Sequence, residues 1–274
     1  HSGVEIHKNR ANANKVMGQL LSRVQNIMPV CLTSFAGGAK EKIVINSADD
    51  LVGKKIGVQA GTTGELYVQE NVKDAKIVSF KTGMDAALDL KNGAIDAIVL
   101  DELPAKEIVA RNPSLMIVDL DLATEAYAIA VKKGNSELLA SINKTIADMK
   151  ANGEYEALVN AFMPVDGNIT IPDTITVNTN KVVKLGTNAA FPPFEYVDGK
   201  DIVGFDISMG QKIAVGYGAK LEVVDMAFDS LIPALASDAI DFIAAGMSVT
   251  EERKKNVDFS DPYYESKQVV IIRK

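Results

Sequence analysis

From residue 184 onward the chain alternates short apolar runs with loops of small and polar residues: LGTNAAFPPFEY, VGFDIS, FDSLIPAL and IDFIAAGMSVTEERKKNVDFSDPYY. This pattern reads as a strand, a loop with two aromatics, two helices, and a strand running into a small-residue loop that carries Ser248 and Arg253. Units of this kind build α/β layers, and ligands collect at the C-terminal ends of the strands. A hydroxyl and a guanidinium offered by one such loop can grip a free carboxylate without doing chemistry on it, because the guanidinium fork matches a carboxylate's two oxygens.

The rest of the composition narrows the choice. At 274 residues the chain is long enough for two compact lobes, and 47% hydrophobic with 24% charged residues is ordinary for a globular protein. A formal charge of −7 argues against a nucleic-acid partner, which needs a basic face. No apolar run approaches the roughly 18 residues of a membrane span. Cys31 is the only cysteine, and His1 and His7 are the only histidines. The usual His/Cys metal site and a Ser-His or Cys-His catalytic pair therefore lack their parts, and no metal or cofactor is expected.

Five segments follow along the chain. Residues 1–40 are an N-terminal extension or leader remnant, with an amphipathic stretch, the apolar run Ile27-Met28-Pro29-Val30-Cys31-Leu32, and Ser34-Phe35-Ala36 in the pattern of a signal-peptidase site. Residues 41–131 alternate strands and helices in a first α/β lobe, with strands at 55–59, 76–80, 95–100 and 127–131. Residues 132–163 are two helices broken near Asn152-Gly153, and 164–180 is a connector rich in Pro, Gly, Asn and Thr. Residues 181–274 form a second α/β lobe with strands at 182–186, 220–225, 242–245 and 268–273. The lobes share an echo: Leu90-x-x-x-Ala94-Ile95-Asp96-x-Ile98 matches Leu235-x-x-x-Ala239-Ile240-Asp241-x-Ile243. Any two helix-turn-strand units share some of this.

Candidate ligand contacts sit at the strand ends, each with a plainer reading. Arg253 with Ser248 suits a carboxylate, but also a surface helix with a Glu-Glu-Arg cluster. Gly61-Thr62-Thr63-Gly64 opens a helix after a strand, where free N–H groups favour an anion; it also suits a simple turn with a Thr N-cap. Asp101 ends a strand and can hold an ammonium group, or cap the helix that contains Pro104. Phe191 and Phe228 can wall a flat ligand stem, or belong to the core.

The motifs GTNAAFPPFEY, GFDIS, FDSLIPAL, GMSVTEER and VDFSDPYY, together with KKIGVQAGTTGE, resemble the polar-amino-acid-binding proteins of bacterial ABC importers, which have the type II periplasmic fold. The resemblance covers about three quarters of the chain, 184–274 looking like the family's first lobe and 47–162 like its second lobe with the returning helices. It implies Arg253 and Ser248 in the carboxylate clamp, with Gly246 giving a backbone contact and Met247 beside it. It implies Thr63 as the second lobe's contact to the same carboxylate, Asp101 on the ammonium, and Phe191 and Phe228 as an aromatic sandwich. Asn188 then reads the ligand's side chain, with Gln59 at the pocket edge. Asn188 stands where many binders of basic amino acids have Asp, which points to a neutral polar ligand. The order of the segments departs from the family: VVIIRK there leads straight into INSADDLVGKK, whereas here it comes last. The expected fold is therefore a two-lobed, circularly permuted type II periplasmic-binding-protein-like α/β fold. A duplication trimmed at both ends, or engineering, would produce this order.

The function so implied is that of an exported, periplasmic or extracellular, non-enzymatic carrier. It closes on a free, polar amino acid and delivers it to ABC-transporter membrane subunits. A dehydratase-like enzyme on the same fold and the sensing module of a receptor are the alternatives. The permutation is expected to cut one lobe crossing after Arg273, leaving the link through 127–134 and a looser hinge.

Overall fold

The computed structural model describes residues 44–120 and 122–274. The extension read at 1–40 lies outside the described residues, as do His1, His7 and Cys31.

Two sheets carry the architecture. The first is built from β1 (Lys55–Gln59), β2 (Lys76–Phe80), β3 (Ala97–Asp101), β4 (Leu115–Val118) and β14 (Tyr264–Arg273), in the order β2-β1-β3-β14-β4, with β5 (Thr124–Tyr127) also on β14. Its helices are α1 (Thr63–Asn71), α2 (Gly83–Asn92) and α3 (Glu102–Arg111). The second sheet runs β11-β7-β12-β6-β13, from β6 (Ala130–Lys132), β7 (Val182–Thr187), β11 (Lys220–Asp225), β12 (Phe242–Ile243) and β13 (Val257–Phe259). A small antiparallel sheet of β8 (Ala190–Phe191), β9 (Glu195–Asp198) and β10 (Asp201–Val203) follows β7. The helices α4 (Ser136–Asn152), α5 (Glu154–Phe162), α6 (Phe205–Gly216), α7 (Leu231–Ala236) and the short α8 (Glu251–Lys254) belong to this side, α4 and α5 packing on α6.

Local chemistry sets the element ends. Thr62 accepts from the Glu65 N–H to start α1, Thr82 from Asp85 to start α2, and Thr250 from Arg253 to start α8. Gly153, at φ 84, separates α4 from α5 in a left-handed conformation that suits glycine. The strand β3 (AIVLD) is buried along its whole length, as a strand covered on both faces must be.

The sequence echo corresponds to a shared piece of geometry. In one lobe the Asp96 carboxylate accepts from the Lys55 N–H at 2.9 Å, and in the other Asp241 accepts from the Lys184 N–H at 2.7 Å. The backbone answers in kind, Asp96 N–H to Lys55 C=O at 2.7 Å and Asp241 N–H to Lys184 C=O at 2.9 Å. Each aspartate thereby fixes where the strand after it enters its sheet, and so where that strand ends.

Three expectations need correction. The strand at 268–273, read as part of the 181–274 lobe, lies in the other sheet, antiparallel between β3 and β4. Val269, Val270 and Ile271 are fully buried, so this stretch needs cover on both faces, which the middle of the first sheet provides. The strand at 127–131 is two strands: β5 pairs β14, while β6 lies between β12 and β13. It follows that the lobes are joined covalently twice, from β5 to β6 and from β13 to β14, so the expected cut crossing is not found. The two crossings also bond to each other, Tyr263 N–H to Tyr127 C=O at 2.9 Å and Ser260 N–H to Ile129 C=O at 2.8 Å.

No helix or strand lies between Phe162 and Val182, and Thr170 N–H bonds back to Ala161 C=O at 2.8 Å. No helix among the described residues is long and apolar enough to cross a membrane.

Because β14 centres the first sheet and also carries a crossing, its core residues should be costly to trim. Ile271 is fully buried opposite Ile98 and Ile117. Ile271→Ala is expected to lower unfolding free energy by about 2–5 kcal/mol, read from denaturant melts.

Candidate functional site

Loops from both lobes converge on one cavity. From the first come Gln59 at the end of β1, Thr62 and Thr63 at the start of α1, Leu100 and Asp101 at the end of β3, and Gln268 from β14. From the second come Asn188 after β7, Phe191, Glu195, Phe228, Ala245, Gly246, Ser248 and Arg253. The space left between them measures about 20 Å3, room for about one water molecule. Anything larger enters only if the lobes part.

Arg253 is 8% exposed and reaches across the cleft. Its Nη1 donates to Ser248 C=O at 2.8 Å, and its Nη2 donates to Gly61 C=O of the opposite lobe at 2.9 Å. The guanidinium carbon stands 5.3 Å from the centre of the Phe228 ring, within cation–π range. Burial pulls its pKa down, and the negative charges of Glu125 and Asp101 oppose that pull. Thr63 Oγ1 donates to Glu125 Oε2 at 2.8 Å, and Ser248 Oγ donates to the same oxygen. Two hydroxyls and a guanidinium, drawn from both lobes, thus form a carboxylate-holding corner.

Asp101 forms an anionic counterpart. It is the residue before α3, yet its side chain makes no cap bond. It accepts instead from Tyr127 O–H and Gln268 Nε2, both buried. Burial, and next the nearby charge of Glu125, push its pKa up to about 7. Gln268 Oε1 is left without a partner, an open acceptor beside this carboxyl. Gln59 and Asn188 close another part of the cavity: Gln59 Nε2 donates to Asn188 Oδ1 at 2.9 Å across the cleft, and Asn188 Nδ2 donates to Met226 C=O at 2.8 Å.

Two of the residues expected at the site behave differently. Met247 does not line the cavity; it is 1% exposed and packs in the core with Leu231, Leu235 and Ile243. Extended backbone sends neighbouring side chains to opposite faces, so Ser248 faces the cleft while Met247 faces away. Gly246 does line it, but its N–H is already committed to Asp206 Oδ2 at 2.8 Å, so that N–H is not free for a ligand. Its φ of 52° and the Phe191 ring, 2.8 Å from where a Cβ would stand, explain why glycine is needed there. Glu125 and Gln268 were missed. Glu125 lies two residues before Tyr127 and so on the same face of β5, which is the signal that could have found it.

Beneath the cavity, Glu195 and Asp206 are buried side by side. Both Glu195 carboxyl oxygens and Asp206 Oδ1 meet no N–H or O–H donor. A proton on Glu195, donated to Asp206, satisfies the pair. Burial, then the neighbouring Asp206 charge, raise the Glu195 pKa well above the usual range; burial raises that of Asp206 to about 6. An acid whose pKa is raised on folding binds more protons folded than unfolded, so its contribution to stability is fully present below the unfolded pKa and is lost as pH climbs above it. From this group the protein should lose roughly 1 kcal/mol per pH unit above about pH 4.5. Glu195→Gln keeps a donor for Asp206 and removes that slope. Denaturant midpoints measured from pH 5 to 7 should fall less steeply in the variant; parallel curves would contradict the shared proton.

Part of the chain is similar to known proteins. Residues 183–274 match the model of the bacterial extracellular solute-binding proteins, family 3. The arginine-binding extracellular protein ArtP of Bacillus subtilis is 46% identical over 94 residues, which is 34% of this chain and 37% of that protein. The L-cystine-binding protein TcyJ of Escherichia coli is 34% identical over 123 residues, 44% of this chain and 46% of that one. The chain therefore spans less than half the length of these curated relatives. Among solved structures, the arginine-binding protein of T. maritima aligns over 30% of this chain and 37% of its own, at 52% identity and a TM-score of 0.30. Residues 183–274 are thus similar to the bacterial extracellular solute-binding proteins of family 3.

Proposed function

We propose that the chain binds one free α-amino acid between its lobes by hinge closure and hands it to the membrane subunits of an ABC importer, outside the cytoplasmic membrane. The observation that carries this reading is the pair of opposite charges facing one cavity. Arg253, Thr63 and Ser248 suit the carboxylate end of a zwitterion, and Asp101 with the open Gln268 Oε1 suits its ammonium end. Phe191 and Phe228 cover the stem between them. Closure is supported by bonds that cross the cleft directly, Arg253 to Gly61 and Gln59 to Asn188. The exported location follows a relative named as an extracellular protein, and the importer follows one named as an ABC-transporter arginine-binding protein. Those names describe binders, which favours carriage over the dehydratase-like and sensing alternatives. The segment order, with the matched residues 183–274 following the lobe at 44–118, supports a circular permutation of the family's fold.

The side chain accepted is neutral and polar. Asn188 carries no charge, burial raises the Glu195 pKa well above the usual range, and Asp225 is exposed and outside the cavity lining. A cationic side chain would lose its hydration with no fixed negative charge to replace it. Arginine is the second reading, favoured by the 46% identity to an arginine-binding protein. Calorimetric competition between L-glutamine and L-arginine decides: arginine bound at least tenfold tighter overturns the neutral preference.

Two further outcomes test the site. Arg253→Ala removes one partner of a desolvated charge pair, which costs roughly 3–5 kcal/mol, or roughly two to four decades in affinity. A variant within threefold of the parent would contradict the clamp. Asp101 must be ionised to hold an ammonium, and its pKa is about 7, so affinity should rise from pH 5.5 to pH 8. The gain is up to roughly 30-fold, and Asp101→Asn should flatten it.

A further inference from the structure

The carboxylate-holding corner already holds a carboxylate that belongs to the chain. Glu125, half-buried on β5, places Oε2 on the Thr63 hydroxyl at 2.8 Å and on the Ser248 hydroxyl. Thr63 belongs to one lobe, Ser248 to the other, and Glu125 lies on the strand that enters the crossing between them. One oxygen therefore ties both lobes together at the point where a ligand's carboxylate is proposed to bind. The Arg253 charge faces the same group.

We infer that Glu125 is an internal competitor for the carboxylate subsite, so that it sets both the affinity and the carboxylate selectivity of this pocket. The inference rests on the amino-acid-binding reading above. Each hydroxyl has a single proton to donate, and both protons are spent on Glu125. A ligand carboxylate takes its place only by breaking both bonds. A second anion left beside the first would also share one guanidinium while standing near Asp101. Glu125 must therefore swing away as the ligand seats, and the side chain's partial exposure gives it a route to solvent. A ligand lacking a carboxylate has no use for these hydroxyls and gains nothing from displacing Glu125. Glu125 thus holds the lobes together through Thr63 and Ser248 until a competing carboxylate replaces it.

Binding of the common L-amino acids to the full chain is first measured by calorimetry, and the tightest binder is then compared with the amine that lacks its α-carboxyl group. In Glu125→Ala the amino acid should bind at least roughly tenfold to hundredfold tighter than in the parent, the worth of one hydrogen bond to a charged group and so a lower bound for the two that no longer have to break. The decarboxylated amine, which has no acceptor for these hydroxyls, should change by less than threefold. Glu125→Gln keeps an acceptor but no charge, and should gain by an intermediate factor; it decides the matter if the alanine variant does not fold. Equal or weaker amino-acid binding in the variants, or an equal gain for the decarboxylated amine, would overturn the competitor role while leaving the site reading intact. A parent that binds no amino acid would overturn the site reading itself, and this inference with it.

Discussion

A buried guanidinium organises this molecule. Arg253 lies on a four-residue helix whose start is fixed by Thr250, and it is almost fully removed from water. A buried charge is stable only when its donors find partners. Here one donor finds the Ser248 carbonyl of its own lobe and another the Gly61 carbonyl of the opposite lobe, so satisfying the arginine also draws the lobes together. Phe228 covers one face of the group, and carboxylates supply the balancing charge.

The acidic side of the cleft obeys the same rule by different means. Asp101, Glu195 and Asp206 sit close together in a water-poor interior where three full negative charges would be prohibitive. Glu195 keeps its proton, Asp206 is steadied by the Gly246 N–H and Tyr263 O–H, and Asp101 is poised near neutrality with Tyr127 and Gln268 as donors. Asp206, with a pKa of about 6, does not line the cavity and is already bonded to Gly246 and Tyr263, so of the three it is Asp101 that combines a place in the cavity lining with a pKa near neutrality.

Much of this arrangement is legible from residues alone because it depends on strand ends. Asp101, Gln59 and Asn188 fall where buried apolar runs stop, and Ser248 and Arg253 lie just beyond one, so the α/β pattern brings them to one edge. What was hidden depends on long-range pairing. The apolar run at 268–273 has the same composition whichever sheet receives it, and only its burial between β3 and β4 decides. Met247 looked equivalent to its neighbours until the backbone sent it into the core. Glu125 is hidden for the same reason, since nothing local to Thr124-Glu125-Ala126 shows that Thr63, 62 positions away, and Ser248, 123 away, will meet it.

The central claim is that this cleft holds a zwitterion with its carboxylate at Arg253 and its ammonium at Asp101. The most direct test is a crystal structure of the chain with its tightest-binding amino acid. The account predicts the ligand carboxylate within hydrogen-bonding distance of Arg253, Thr63 Oγ1 and Ser248 Oγ, the ammonium on Asp101, and Glu125 moved off both hydroxyls. A ligand bound with its ends reversed, or outside this cavity with the Glu125 bridge unbroken, would contradict it.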